Sequence, residues 1–235
     1  TGVNIICSTG KYMSPQTPPE GLNSRDSINS MVNALYDTFM QEITVGIHDT
    51  GIKAGIIKVA TSHCRIYPYE EIALRAAAQA QKDTGVPIIT HTEDGTMGPE
   101  QASLLISEGA NHRKVVIGHM CGNSDIDYQM AVLKHGVSVN FDRWGLDIIF
   151  PDSLRKATLV ELLRRGFADK IVLSQDHIAH WLTPQPELPD FAKPLIANWS
   201  YTHLLSNVVP ALKQLGITEE QVDCMLIENP RKIFE

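Results

Sequence analysis

Four apolar runs, each carrying one polar residue at or near its end, constrain this chain more than any other feature. Gly-Ile-Ile-Lys-Val-Ala at 55–60 carries Lys58 and Ile-Ile-Thr-His-Thr at 88–92 carries His91. Val-Ile-Gly-His-Met at 116–120 carries His119, and Val-Leu-Ser-Gln-Asp-His at 172–177 carries Asp176. Short Val/Ile-rich runs without clean alternation are the pattern of parallel strands covered on both faces. Helix-like stretches separate most of them. Such a β-to-α alternation gathers the residues that follow its strands at one end of the sheet, where α/β folds keep their sites.

The periodicity predicts strands near 3–7, 54–60, 86–90, 114–118, 137–141 and 170–174. Helices are predicted over 27–46, 69–84, 99–109, 124–136 and 153–166. The first of these carries Ile28, Met31, Val32, Leu35, Phe39 and Ile43 at spacings of three and four, one face of a helix. Residues 177–198 form a long, Pro-rich loop, a length that is uncommon unless the loop covers or shapes a site. Two further helices are expected at about 200–215 and 218–226, then a turn near Pro230. The pattern is six β-to-α units in one domain spanning 1–235. A (β/α)8 TIM barrel needs eight, so the expectation is that the first two βα units are absent from this chain and belong before Thr1 or on another chain. A six-stranded arc would otherwise leave two parallel edges unpaired.

The 235 residues suffice for a sizeable core. Net charge is −7, which argues against nucleic acid or an anionic membrane surface as partner. No apolar run is long enough to span a bilayer, and no signal segment is visible at the N-terminus. The four cysteines are scattered, with no Cys-x-x-Cys pair. They read as reduced thiols of a cytoplasmic protein, and their spacing excludes a zinc ribbon. Phosphate-binding loops, a Gly-x-Gly-x-x-Gly after a strand, and a Gly-x-Ser-x-Gly elbow are all missing. The expected partner is a small-molecule substrate.

Each candidate residue has a plain and a chemical alternative. Lys58 either snorkels from a strand end or is buried with a lowered pKa, in which case its neutral amine can add carbon dioxide and become a carbamate. His91 and His119 are either capped loop-start histidines or metal ligands. They lie one βα unit apart, which puts them on adjacent strands, and their joint occurrence after Lys58 favours ligation. Asp176 is either a helix cap or a carboxylate that binds metal and takes a proton from bound water. His177 and His180 read as loop residues, and Thr92-Glu93-Asp94-Gly95 as an acidic loop or a plain turn.

With those residues placed, the chain resembles the phosphotriesterase family of the amidohydrolase superfamily, and within it the phosphotriesterase-like lactonases. The resemblance runs from Thr1 to Glu235. It is carried by Ser-Thr-Gly-Lys-Tyr at 8–12, Ala-Gly-Ile-Ile-Lys-Val-Ala at 54–60 and Pro-Ile-Ile-Thr-His-Thr at 87–92. It continues through Ile-Gly-His at 117–119, Ser-Asp-Ile-Asp-Tyr at 124–128 and Phe-Asp-Arg-Trp-Gly-Leu-Asp at 141–147. Ser-Gln-Asp at 174–176, Asn-Trp-Ser at 198–200 and Glu-Asn-Pro-Arg-Lys at 228–232 complete it.

The resemblance implies a metal-dependent hydrolase barrel with two divalent metal ions, zinc by preference and cobalt, iron or manganese as alternatives. It implies that Lys58 is carboxylated and bridges them, that His91 and His119 bind the more exposed metal, and that Asp176 binds the buried one and shuttles the proton. Tyr12 would point at the metal-bridging hydroxide, and Arg143 would organise the 142–147 loop. Trp144, Trp181, Leu182 and Trp199 are the apolar pocket candidates. The implied reaction is opening of lactones, acyl-homoserine lactones among them, with organophosphate triesters as a side activity and a homodimer as the assembly. The family's first-strand His-x-His pair has no counterpart in this sequence. That absence motivates one alternative, a non-catalytic barrel that binds a metabolite or partner; a second, sharing all the polar residues, is an amidohydrolase acting on other esters or amides.

Overall fold

Six short parallel strands form one sheet, in the order in which they occur along the chain. They are β1 (Ser8–Lys11), β2 (Ile56–Thr61), β3 (Ile88–Thr92), β4 (Val115–Ile117), β5 (Ser138–Phe141) and β6 (Ile171–Leu173). The structure is a computed structural model describing residues 2–13, 26–178, 180 and 187–235. Helices α1 (Ile28–Thr44), α2 (Pro68–Thr84), α3 (Gly98–Ser107), α4 (Ile126–Leu133) and α5 (Asp152–Arg164) each connect one strand to the next. After β6 come α6 (Val209–Gln214), α7 (Glu219–Asp223) and α8 (Asn229–Phe234). Sequential parallel strands with a helix in every crossover make this a partial (β/α)8 barrel, as the six-unit count anticipated.

Local chemistry explains where the helices begin and how they dock. Ser27 accepts from the Ser30 amide at 3.2 Å and caps α1. The α1 stripe of Met31, Val32, Leu35, Phe39 and Ile43 is buried and packs on α2. Helix α2 starts with Pro68, and its buried Glu70 accepts from the Tyr67 amide (2.9 Å), the Ser62 amide (3.2 Å) and the Ser62 hydroxyl (2.5 Å). One carboxylate therefore caps α2 and ties it to the end of β2. The row Ala73, Ala76, Ala77, Ala78 and Ala80 is buried. Small side chains there let α2 lie close between the sheet and α1.

Three expectations change. Only the end of the apolar stretch at 3–7 touches the sheet: the Gly55 amide donates to the Cys7 carbonyl at 2.9 Å, residue pairing begins at Ser8, and Val3, Ile5 and Ile6 are exposed. A run of apolar residues becomes a strand only where a neighbour offers a ladder, and the ladder with β2 starts one residue later than the run ends. Strand β3 reaches Thr92, so His91 lies inside the strand rather than past it. Pro230 opens α8 instead of marking a turn. The residues before it form a wide helical turn, in which the Asn229 amide reaches back five residues to the Cys224 carbonyl. The Val209 amide does the same with Leu204, just before Pro210. A proline cannot donate to the carbonyl four residues back and collides with it, and one widened turn relieves both problems while the helix continues.

The strand ends approach one another closely around Gly118. Its amide bonds the Thr90 hydroxyl at 3.2 Å, and its carbonyl accepts from the Thr92 hydroxyl at 2.7 Å. A Cβ at this position would stand 2.1 Å from the Thr90 carbonyl oxygen. Gly118→Ala is therefore expected to force β3 and β4 apart and to lower stability by about 1–3 kcal/mol, read from urea melts. An unchanged midpoint would show that the strand ends have slack.

Candidate active site

The register of the sheet puts the chemistry on one face. His91 is paired with Ala60, two residues beyond Lys58, and residues two apart on a strand share a face. Lys58 and His91 therefore point to the same side from neighbouring strands, and His119 follows two residues after the end of β4. The His91 and His119 rings meet edge to face with centroids 4.6 Å apart. Both are buried. His119 sits in the left-handed region at φ 59°, a strained conformation for a non-glycine residue that turns its side chain back over the strand ends.

Lys58 is half-buried, and its ammonium donates to the Thr90 carbonyl at 2.9 Å. Burial lowers its pKa below that of a free lysine, against the opposing pull of the Asp142 and Asp176 carboxylates. Asp176 follows β6 and is held from three directions. Its amide donates to the Asp142 carbonyl at 2.6 Å, Arg143 Nε donates to its Oδ2 at 3.1 Å, and Trp199 Nε1 donates to its carbonyl at 2.9 Å. His119 Nε2 lies 3.9 Å from the same Oδ2. Tyr12, just past β1, places its hydroxyl 3.3 Å from His91 Nδ1 and 3.4 Å from Nε2. Although Tyr12 is 58% exposed, partial desolvation, reinforced by the Glu93 charge, raises its pKa, so it is a phenol at neutral pH.

Two carboxylates behind the histidines complete the arrangement. Asp142 Oδ1 contacts His119 Nδ1 at 2.9 Å, and its Oδ2 accepts from the His119 amide at 3.2 Å. Glu93 Oε2 lies 2.7 Å from His91 Nε2. Burial, joined by the repulsion of His119, pushes the His91 pKa down to about 4 despite Glu93, which keeps the ring neutral near pH 7. Burial by itself would raise the Asp142 pKa, but His119 and Lys58 outweigh it and hold it at about 2.

A cavity of about 410 Å³ opens over these groups. Tyr12, Lys58, His91, His119, Arg143 and Asp176 form its polar floor, and Leu146, Ile149, Ile178 and Trp199 its apolar wall. A second cavity of about 450 Å³, lined by Arg113, Ser138, Lys170 and Lys232 among others, lies at the opposite strand ends. It contains none of the candidate groups, and in barrels that face serves stability rather than chemistry.

The structure thus brings together Tyr12, Lys58, His91, His119, Arg143, Asp176 and Trp199. Trp144 is a correction: it is fully buried in the core, its indole nitrogen donates to the Phe141 carbonyl at 2.8 Å, and it does not line the cavity. A bulky indole with a satisfied N–H packs beneath the loop instead of facing substrate. Trp181 and Leu182 lie outside the described residues. Leu146, Ile149 and Ile178 join Trp199 in the apolar wall expected of Trp144, Trp181, Leu182 and Trp199. Asp142 was not among the residues expected from the sequence, and Glu93 read equally as part of a plain turn. Asp142 follows the apolar 137–141 run and so shows the same pattern that singled out the other residues. Glu93 could have been found from its position two residues after His91.

Among the described residues, no three His, Cys, Asp or Glu side chains are grouped as a ready metal cage. The donors nonetheless have the chemistry of one. Each histidine has one ring nitrogen occupied by a carboxylate, and a carboxylate and a half-buried lysine stand beside them. Outer carboxylates that fix ring orientation are the usual companions of metal-binding histidines. The barrel fold, with ligand-type side chains converging at the C-terminal strand ends, defines the class of metal-dependent barrel hydrolases.

Comparison places the chain within that class: it belongs to the phosphotriesterase family, whose sequence profile matches residues 1–234. A "phosphotriesterase homology protein" of Mycobacterium tuberculosis is 40% identical over 238 aligned residues, covering all of this chain and 72% of the relative. An "aryldialkylphosphatase" of Saccharolobus solfataricus is 36% identical, covering all of this chain and 73% of the relative. The solved organophosphorus hydrolase of Deinococcus radiodurans superposes with a TM-score of 0.88 at 42% identity, covering 98% of this chain and 70% of that one. A structure described as engineered for organophosphate hydrolysis from a weak promiscuous lactonase template gives 0.90 at 42% identity, covering 100% and 74%.

The Asp142–His119 pair yields a signed pH prediction. Asp142 has a folded pKa of about 2 against an ordinary value of 3.8. Its stabilisation is therefore complete above about pH 4 and is lost as pH falls through 2. In chelator-treated protein, Asp142→Asn is expected to remove a pH-dependent contribution of about 2 kcal/mol. The stability gap to wild type should narrow between pH 4 and 2 in urea melts. A gap that stays constant over that range would contradict the assignment.

Proposed function

We propose that this protein hydrolyses uncharged esters at a divalent-metal site, with lactones as the preferred substrates and organophosphate triesters as a side activity. The observation that carries this is the convergence of Lys58, His91, His119 and Asp176 on one cavity with an apolar wall. Lys58, as its carbamate, with His91, His119 and Asp176 would hold the metal. Metal bound there would polarise the substrate oxygen and lower the pKa of water. The low amine pKa that burial gives Lys58 favours the neutral form, which can add carbon dioxide. No His-x-His pair is present in the sequence, and these four residues are the ligands proposed.

The chain's own groups divide the remaining work. Arg143 fixes Oδ2 of Asp176 and orients the carboxylate toward the cavity, where it accepts the proton from attacking water. The Tyr12 phenol, protonated and directed over His91, can donate to the developing oxyanion. Leu146, Ile149, Ile178 and Trp199 hold an acyl or alkyl chain and limit water around the reacting centre. The lactone preference draws support from the structural relative described as a lactonase template, and the triester activity from the relatives named for organophosphate hydrolysis.

The test is a substrate panel of lactones, phosphotriesters and simple amides, run with protein supplied with zinc, cobalt or manganese. Lactones should give the highest kcat/KM, triesters a weaker rate, and amides none. Asp176→Asn is expected to lower kcat by about 10²–10⁴-fold with an unchanged circular dichroism spectrum. An Asn variant within a few-fold of wild type would remove Asp176 from the proton step. Binding of lactones without turnover at any metal would favour the non-catalytic alternative.

A further inference from the structure

Two chain segments carry the apolar wall of the cavity, and they are joined at a point outside the cavity. Leu146 and Ile149 come from the loop after β5, and Ile178 and Trp199 from the chain after β6. Asp152, the first residue of α5, takes donors from both segments. Its carboxylate oxygens share the Gly145 amide at 3.0 and 3.1 Å, Oδ1 accepts from Arg155 at 2.8 Å, and Oδ2 accepts from His203 Nε2 at 2.9 Å. We propose that Asp152 is a positioning residue: with His203 it clamps the two segments into one body and so sets the wall that selects the acyl chain of the substrate. The acyl chain as the thing selected rests on the proposed function, whereas the clamp rests on these contacts alone.

Each partner of Asp152 is itself held. Arg155 is fully buried, and its other terminal nitrogen donates to the Leu146 carbonyl at 3.1 Å. The wall loop is therefore fixed at Leu146 as well as at Gly145. Without Asp152 that guanidinium would keep only Asp147, at 3.9 Å, as a counter-charge, and a buried charge stripped of its partner is strongly destabilising. His203 is buried and uses both ring nitrogens: Asn207 Nδ2 donates to Nδ1 at 3.0 Å, which leaves the proton on Nε2 for Asp152. The two backbones also meet directly. The Ile148 amide donates to the Leu195 carbonyl at 3.2 Å. A Cβ on Gly145 would stand 2.4 Å from the Asn198 carbonyl oxygen, so the loop lies against the residue before Trp199 with no room for a side chain. Neither Asp152 nor His203 lines the cavity. They reach substrate only through the segments they hold.

The test is made at His203, because replacing Asp152 would also strand Arg155. Amide hydrogen exchange of the zinc-supplied protein reads the clamp without turnover. His203→Ala should speed exchange in 143–151 and 195–203 together and leave α2 at the wild-type rate. His203→Gln, whose side-chain amide again offers Asp152 a donor, should bring both segments back toward wild type. On substrates, His203→Ala should raise KM for dodecanoyl-homoserine lactone by about tenfold, the equivalent of roughly two methylenes no longer buried. Its kcat should stay within about twofold, the signature of lost ground-state binding. Turnover of δ-valerolactone, which has no chain to pack, should not change, and His203→Gln should recover the long-chain KM. Faster exchange confined to 195–203 would overturn the clamp. A KM that rises equally for both lactones, or for neither, would overturn the selection of the acyl chain. A wild type that opens no lactone would strike the proposed function and the chain-selecting role with it, while the clamp would still stand or fall on exchange.

Discussion

The buried carboxylate of Asp142 is the interaction on which the rest of the site depends. Its oxygens take the ring nitrogen and the amide of His119, and Cys121 adds a thiol contact to Oδ1 at 3.6 Å. Its backbone carbonyl receives the Asp176 amide, and the next residue, Arg143, grips the Asp176 side chain. One residue after β5 therefore fixes the residues that follow β4 and β6. An ionised carboxylate at full burial is tolerable only with such partners, and the partners it collects are the groups the chemistry needs. Cys121 shows the cost of that environment, since burial beside Asp142 pushes its thiol pKa up to about 12.

The arrangement works because stability and chemistry occupy different ends of the same strands. Val115, Ile117, Val139 and Ile171 are fully buried and belong to the core. Within a few residues the chain turns polar at His119, Asp142 and Asp176. Backbone strain mostly follows the same gradient: of the positive-φ residues other than glycine among those described, Cys64, Asp94, Met97 and His119 lie after β2, β3 or β4, and His48 lies before β2. Strain concentrated at one rim, above a well-packed layer, is what a preorganised site requires.

Much of this was legible in the sequence for physical reasons. Val/Ile runs and the α1 stripe report burial directly, so five of the six strands and the crossover helices could be placed within a few residues, while the first strand, expected at 3–7, lies at Ser8–Lys11. Lys58, His91, His119 and Asp176 stood out because a charged or metal-binding side chain beside a buried run demands an explanation. What remained hidden depends on three-dimensional neighbours. The rotation of Trp144 into the core is decided by its bond to Phe141, not by composition. The pairing of Glu93 with His91 depends on a turn whose geometry is held from the neighbouring strand. The helix through Pro230 depends on a wide turn that no local preference announces.

The central claim is that these strand-end side chains form a divalent-metal site, and its most direct test is metal content per chain. Purified wild-type protein and a His91→Ala/His119→Ala double variant would be compared by elemental analysis after equilibration with zinc and removal of free ion. The account predicts stoichiometric metal in wild type and its loss in the double variant, with both proteins folded. A metal-free wild type, or a double variant that keeps its metal, would contradict it.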